Sequence, residues 1–129
     1  NIMISTKVNF VHLCEYASLS DGKLNVLGVF EGLTSPGFPI IFPQLYVVTN
    51  LTFLETSEEE VTQEIQILSP NGDVVSKYPV SFPVMESNKR IGTIGQLNNV
   101  SFKEAGQYKL KVFIDGIEVK SEDLQIERQ

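Results

Sequence analysis

Tyr108, Leu110, Val112 and Ile114 alternate with Gln107, Lys109 and Lys111, so an extended chain presents one apolar and one polar face here. That is the pattern of an antiparallel strand with one side in a core. Asp115-Gly116 follows at once and suits the positive backbone dihedrals of a type I′ turn, after which Ile117 and Val119 resume the alternation. The segment predicts a hairpin.

The same period repeats along the chain. Ile4, Thr6, Val8 and Phe10 alternate with Ser5, Lys7 and Asn9, and Val11-His12-Leu13-Cys14 is apolar on both faces, so the first strand runs from an exposed end into a covered centre. Ser20-Asp21-Gly22-Lys23 reads as a turn. Leu24, Val26, Gly28 and Phe30 then alternate with Asn25, Leu27 and Val29, which predicts a second strand buried on both faces. Pro36, Pro39 and Pro43 mark residues 32–44 as a crossing loop or an edge, because proline donates nothing to a central ladder. A third strand is expected over residues 45–54 and a fourth with Val61, Ile65 and Ile67 inward. Pro70-Asn71-Gly72-Asp73 is a turn opening a fifth, with Val74, Tyr78, Val80 and Phe82 on one side and Pro79 assigning it to an edge. A glycine-punctuated strand over residues 91–97 precedes the hairpin, and the last strand changes phase between Val119 and Leu124, as a bulge at residues 121–123 would produce. The best helical stretch is residues 55–63, at most a turn or two.

About eight short strands without a sustained 3.6-residue period predict an all-β chain of two antiparallel sheets. The corner narrows this further. Glu104-Ala105-Gly106-Gln107-Tyr108 resembles the tyrosine corner of immunoglobulin-like sandwiches, in which a buried hydroxyl bonds back to the chain entering its strand. Leu110 stands where antibody domains carry cysteine, and the chain has no Trp, so their disulfide-and-tryptophan core is absent. An immunoglobulin-like sandwich is the expected fold, with residues 1–129 as a single domain.

Composition removes several functions. The chain is 42% apolar with no run near the roughly 20 residues of a membrane span, so no membrane insertion is expected. Ten Lys and Arg stand against sixteen Asp and Glu, a net charge of −6, and the basic residues are scattered. Affinity for nucleic acid or anionic lipid grows with clustered cations, so neither partner is expected. The alternating start lacks the continuous apolar segment of a secretory leader, and Met3 reads as an initiator, unless the chain is a trimmed mature product. One cysteine, Cys14, excludes an internal disulfide and fits the reducing cytoplasm.

Candidate chemistry is sparse. His12 and Cys14, two apart, project to one face of a strand, and an imidazole beside a thiol is the basis of cysteine nucleophiles. Their apolar surroundings argue instead for a packed pair with a raised thiol pKa. One His and one Cys cannot fill a zinc site of the usual four ligands without borrowing carboxylates or a second chain. Asp21, Asp73 and Asp115 are loop carboxylates that could gather around calcium, yet each adjoins a glycine, which turn geometry alone explains. Glu58-Glu59-Glu60 reads as a solvated loop. Ile91-Gly92-Thr93-Ile94-Gly95 matches no phosphate-binding pattern. No catalytic, cofactor or metal residue is assigned, and no cofactor is expected. Phe38, Ile40, Ile41 and Phe42 between prolines form an apolar segment that caps the core or meets another chain, in which case a symmetric homodimer is the default.

Leu13-Cys14-Glu15-Tyr16-Ala17, Asp21-Gly22-Lys23-Leu24-Asn25-Val26-Leu27-Gly28-Val29-Phe30, Gly106-Gln107-Tyr108 and Asp115-Gly116 together resemble the pattern of a family of small prokaryotic β-sandwich proteins of unknown function. The resemblance implies the sandwich and carries over no functional residue. The expected role is a non-catalytic protein-interaction or structural module. The alternative is a small-ligand or carbohydrate-binding sandwich, calcium-assisted or not, for which the four Tyr and absent Trp supply few stacking platforms.

Overall fold

Nine strands and no helix form over residues 5–129, the residues that the computed structural model describes. They are β1 (Thr6–Ser20), β2 (Lys23–Phe30), β3 (Gly32–Ser35), β4 (Ile40–Phe53), β5 (Ser57–Leu68), β6 (Val74–Val84), β7 (Arg90–Phe102), β8 (Gly106–Ile114) and β9 (Ile117–Arg128). Ile4, which the alternation assigns to the first strand, lies outside the described residues. One sheet has the order β2-β1-β4-β7 and the other β3-β9-β8-β5-β6. The β9-β8-β5-β6 run facing β4-β7 is the immunoglobulin-like arrangement of G-F-C-C′ against B-E. The sandwich is therefore as expected, with nine strands rather than about eight and one parallel pair, β3 with β9.

The two sheets meet through the alternating residues. Val11, Leu13, Leu45, Val47 and Leu97 face Ile65, Ile67, Leu110, Val112, Leu124 and Ile126, all buried in one cluster. Tyr108 completes the corner. Its hydroxyl donates to the Glu104 carbonyl at 2.7 Å while its ring meets Phe102 edge-on at 5.2 Å. Burial is the main reason that its phenol is raised above the ordinary range. The aromatic contacts continue from Phe102 to Phe42 and from Phe42 to Phe30, which ties the end of β2 into the core.

Residues 55–63 are not helical. β5 begins at Ser57 and runs between β6 and β8, so Val61, Gln63, Ile65 and Ile67 all face inward at a period of two. Pairing with β6, joined by β8 from Gln63 onward, outweighs the weak local preference of an isolated turn. The bulge of the last strand lies at Val119 rather than at residues 121–123, because Val112 pairs Lys120 while Phe113 pairs Glu118. The phase therefore changes one turn of pleat earlier, and Lys120 and Glu122 share the register of Leu124 and join in an ion pair at 3.3 Å.

The proline-marked segment resolves into β3 and the start of β4, with Phe38, Ile40 and Phe42 packed on the main core and Ile41 exposed. Pro79 lies on β6, the edge of its sheet, as expected. Among the described residues no helix is long and apolar enough to cross a membrane.

Candidate interaction surface

β1 changes its allegiance along its length. Up to Cys14 it pairs with β4, and from Leu13 to Ser20 it pairs with β2. Extending the β4 register would set Ala17 against Pro43, which has no N–H to give to a ladder. Beyond Cys14 the strand therefore continues with β2 as a two-stranded ribbon, closed by an Asp21-Gly22 turn with φ of 52° and 72°. Type I′ chemistry is thus realised here as well as at Asp115-Gly116 (φ 48° and 82°).

The ribbon is where this protein shows apolar side chains to solvent. Ten large hydrophobic residues are exposed among the described residues, and five of them, Tyr16, Leu19, Leu24, Leu27 and Val29, fall within residues 16–29. Leu19 and Leu27 are 68% and 64% exposed. The expectation that β2 is buried on both faces is overturned, since β2 ends its sheet and no described strand pairs with its outer side. Its apolar alternation is the same that a central strand would show, so position in the sheet alone separates the two.

At the base of the ribbon the solvent-facing side of the sheet makes a small cluster of its own. Cys14, Ala17 and Val48 are buried there, with Phe10, Val26, Tyr46 and Ile94 around them. Cys14 and Ala17 share the cluster although three residues apart, which places a change of phase opposite Gly28, whose φ is 64°. Glycine suits that point because its positive φ is one that side chains rarely adopt, and a Cβ there would press on the Glu15 side chain.

His12 and Cys14 do not form a catalytic pair. The Cys14 thiol is fully buried, donates to the Tyr46 carbonyl at 3.6 Å, and is pushed above its ordinary pKa by burial, so the nucleophilic thiolate is disfavoured. The His12 ring is exposed, contrary to the expectation of a packed pair, and stacks on Phe10 at 5.3 Å. The three turn aspartates also stay apart. Asp73 and Asp115 lie at opposite ends of β5, and Asp115 Oδ1 is committed to the Thr62 N–H at 2.9 Å. Among the described residues no three metal-ligating side chains converge.

A cleft of about 330 Å³ opens beside the ribbon, where the chain crosses from one sheet to the other at Glu31. Leu13, Phe30, Leu110 and Leu124 form its floor, and Glu31, Glu122 and Asp123 its rim. Glu122 is paired to Lys120 and Asp123 to Lys109, which holds the Asp123 carboxyl below its ordinary value.

The sequence pattern of one family covers almost all of this architecture: its model matches residues 9–127, from the Asn9 bulge to the end of β9. The chain belongs to the Family of unknown function (DUF6941). The first sites of likeness noted in the sequence therefore lie inside a DUF6941 domain that includes the whole ribbon. No curated protein matches this DUF6941 chain. Among solved structures it is similar to a glycosyl hydrolase family 2 member from Bacteroides cellulosilyticus, with 16% identity and a TM-score of 0.44. That likeness covers 62% of this chain and 11% of the other.

Sequence reasoning did not single out Leu19, Leu24, Leu27 and Val29, nor the inward Gln63. For Gln63 a signal was present, since it interrupts the series Val61, Ile65, Ile67 at the inward period. For the ribbon the signals were Pro43 and Gly28, both legible only once the register is known.

Proposed function

We propose that this protein is a non-catalytic interaction module that docks through the β1–β2 ribbon. The observation that supports the reading most directly is the gathering of half of the exposed large apolar side chains on a two-stranded ribbon that has parted from β4. A ribbon of two strands is marginal by itself in water, and a partner that covers its exposed apolar side chains would remove them from solvent. The buried, hydrogen-bonded thiol and the His12 ring stacked on Phe10 favour a role without nucleophilic chemistry. An unpaired, buried cysteine suits the reducing cytoplasm.

The test is a capture experiment in the native host with wild type and a Leu19→Asp, Leu27→Asp variant. A protein held by wild type and lost from the variant, while a Leu54→Asp control at another exposed apolar site retains it, supports the ribbon as the docking surface. Equal capture by all three, or a catalytic activity abolished by Cys14→Ser in folded protein, overturns the reading.

A further inference from the structure

One flank of the sandwich is closed by a single residue. Pairing of β2 with β1 stops at Leu13 and Phe30, and pairing of β3 with β9 starts at Gly32 and Gln125, so only Glu31 spans the gap between the sheets. Among the described residues no strand pairs with the outer side of β1 before Leu13 or of β9 before Gln125. The cleft of about 330 Å³ opens at this gap and reaches apolar side chains of both sheets, Leu13 and Phe30 from one and Leu110 and Leu124 from the other. Its volume lies at the lower end of the range of ligand sites.

The charges at its mouth select what enters. Glu122 is paired across to Leu110, so it lies on the face that meets the other sheet, where Leu124 and Ile126 are buried. An inward charge of this kind keeps a bare strand from adding to the edge, so the flank takes a side chain rather than a strand. The ion pair of Glu122 with Lys120 is half exposed and therefore weak. Glu31 has no hydrogen-bond or ion-pair partner among the described residues, and no Lys or Arg lines the cleft there. A purely apolar occupant would strip water from Glu31 and give it nothing in return, an anion would meet two carboxylates on a chain of charge −6, and a bare metal ion would find no three converging ligands among the described residues.

We infer that the cleft takes a lysine or arginine side chain of the protein that docks on the ribbon, its methylene stem over Leu13, Phe30 and Leu124 and its cationic head on Glu31. The two surfaces are continuous. Phe30 and Glu31 follow directly on the exposed Leu24, Leu27 and Val29, and from residue 16 to residue 30 the only charges, Asp21 and Lys23, cancel, so a segment lying along β2 meets its first net charge at Glu31. This inference rests on the ribbon as the docking surface and adds the chemistry of what docks.

Titration of the isotope-labelled full chain with n-butylammonium and n-butylguanidinium, followed by nuclear magnetic resonance, reads the cleft without the partner. The expected result is saturable shifts of the Leu13 and Leu124 methyls and the Phe30 ring, with n-butanol bound about tenfold more weakly and pentanoate not at all, since the cation alone gains a charge-assisted contact. Glu31→Gln is expected to bring the two cations down to the level of the alcohol, whereas Glu60→Gln, the same change of net charge on β5 outside the cleft, leaves them unaltered. A general attraction to an acidic chain would weaken equally in both variants. Alcohol bound as well as the cations, an equal response to the two variants, or no saturable shift at the cleft overturns the inference. Against the captured protein, Glu31→Gln is expected to weaken binding on the order of tenfold. A partner held equally by wild type and Glu31→Gln but lost on Leu19→Asp, Leu27→Asp refutes the cleft as its anchor and leaves the ribbon standing. Cation uptake that needs Glu31, with capture indifferent to Leu19→Asp, Leu27→Asp, refutes the ribbon and leaves the cleft as a site for basic side chains.

Discussion

Gln63 is fully buried between the sheets, and its amide closes a ring with two threonines of the opposite sheet. Thr49 donates to Gln63 Oε1 at 2.9 Å, Gln63 Nε2 donates to Thr93 Oγ1 at 3.0 Å, and the Thr93 hydroxyl is then free to donate to Thr49, so each member gives one hydrogen bond within the ring. Removing one member orphans the next. Thr93→Val is expected to cost about 1–3 kcal/mol, whereas replacing all three by Val, Leu and Val leaves no buried polar group and costs far less than three such losses. Chemical denaturation of the single and triple variants checks this, and additive losses would refute the ring. Tyr108→Phe removes the donor to Glu104 and is expected to cost about 1 kcal/mol. Since folding raises the Tyr108 pKa, its contribution is complete below the unfolded value near 10 and is lost as pH rises through the folded one. The stability gap between wild type and Tyr108→Phe therefore narrows above about pH 10. Cys14, also raised by burial, behaves likewise from its ordinary value near 9 upward, so wild type loses stability relative to Cys14→Ala in alkali.

Two hairpins share one turn and differ in what surrounds them. Asp115-Gly116 closes β8–β9 inside a five-stranded sheet, and Asp21-Gly22 closes β1–β2 on a ribbon that only β2 completes. A valine forced into the left-handed region costs about 1–2 kcal/mol in either place. Gly116→Val is expected to lower global stability by that amount, because β8 and β9 cannot open without exposing Val112, Leu124 and Ile126. Gly22→Val is expected to cost the global transition less, since the ribbon can fray before the core unfolds. Equal losses in urea would show that the ribbon is part of the cooperative unit. The contrast also marks how far the sequence could be read. Tyr108 to Ile114 and its turn were legible because the period, the corner and the Asp-Gly pair all agree locally. The position of β2 was not, because Leu24, Leu27 and Val29 read alike on an edge and in a centre, and Val119 hid its bulge because the alternation only reappears at Leu124. The candidate surface was legible in its parts, as apolar residues and as glycine and proline, and illegible as a surface.

At the scale of the whole molecule, the order of the sheets sets a gradient of stability. β4 and β5 are flanked by strands on both sides, and the inward residues of β4 from Leu45 to Phe53 are buried at 1% exposure or less where they are apolar. Residues 15–29 have one ladder, a cluster of three small buried side chains at their base, and water elsewhere. Exchange of backbone amides follows the opening free energy of each segment, so the amides of β4 and β5 are expected to exchange through global unfolding and those of the ribbon tip orders of magnitude sooner. Docking of a partner on the ribbon changes that order at one place. A partner that pairs with the β2 edge satisfies its outer amides while those of β1 keep the ones they had, so adding the captured partner is expected to slow exchange on β2 selectively, and Leu19→Asp, Leu27→Asp to abolish the slowing. Exchange that is uniform across the ribbon and the core would mean that the ribbon is held by the sandwich itself. Exchange on β2 that stays fast with the partner present would mean that the edge stays open. Because the measurement reads β1, β2, β4 and β5 in one sample, it separates a ribbon stabilised by its own fold from one stabilised by a partner.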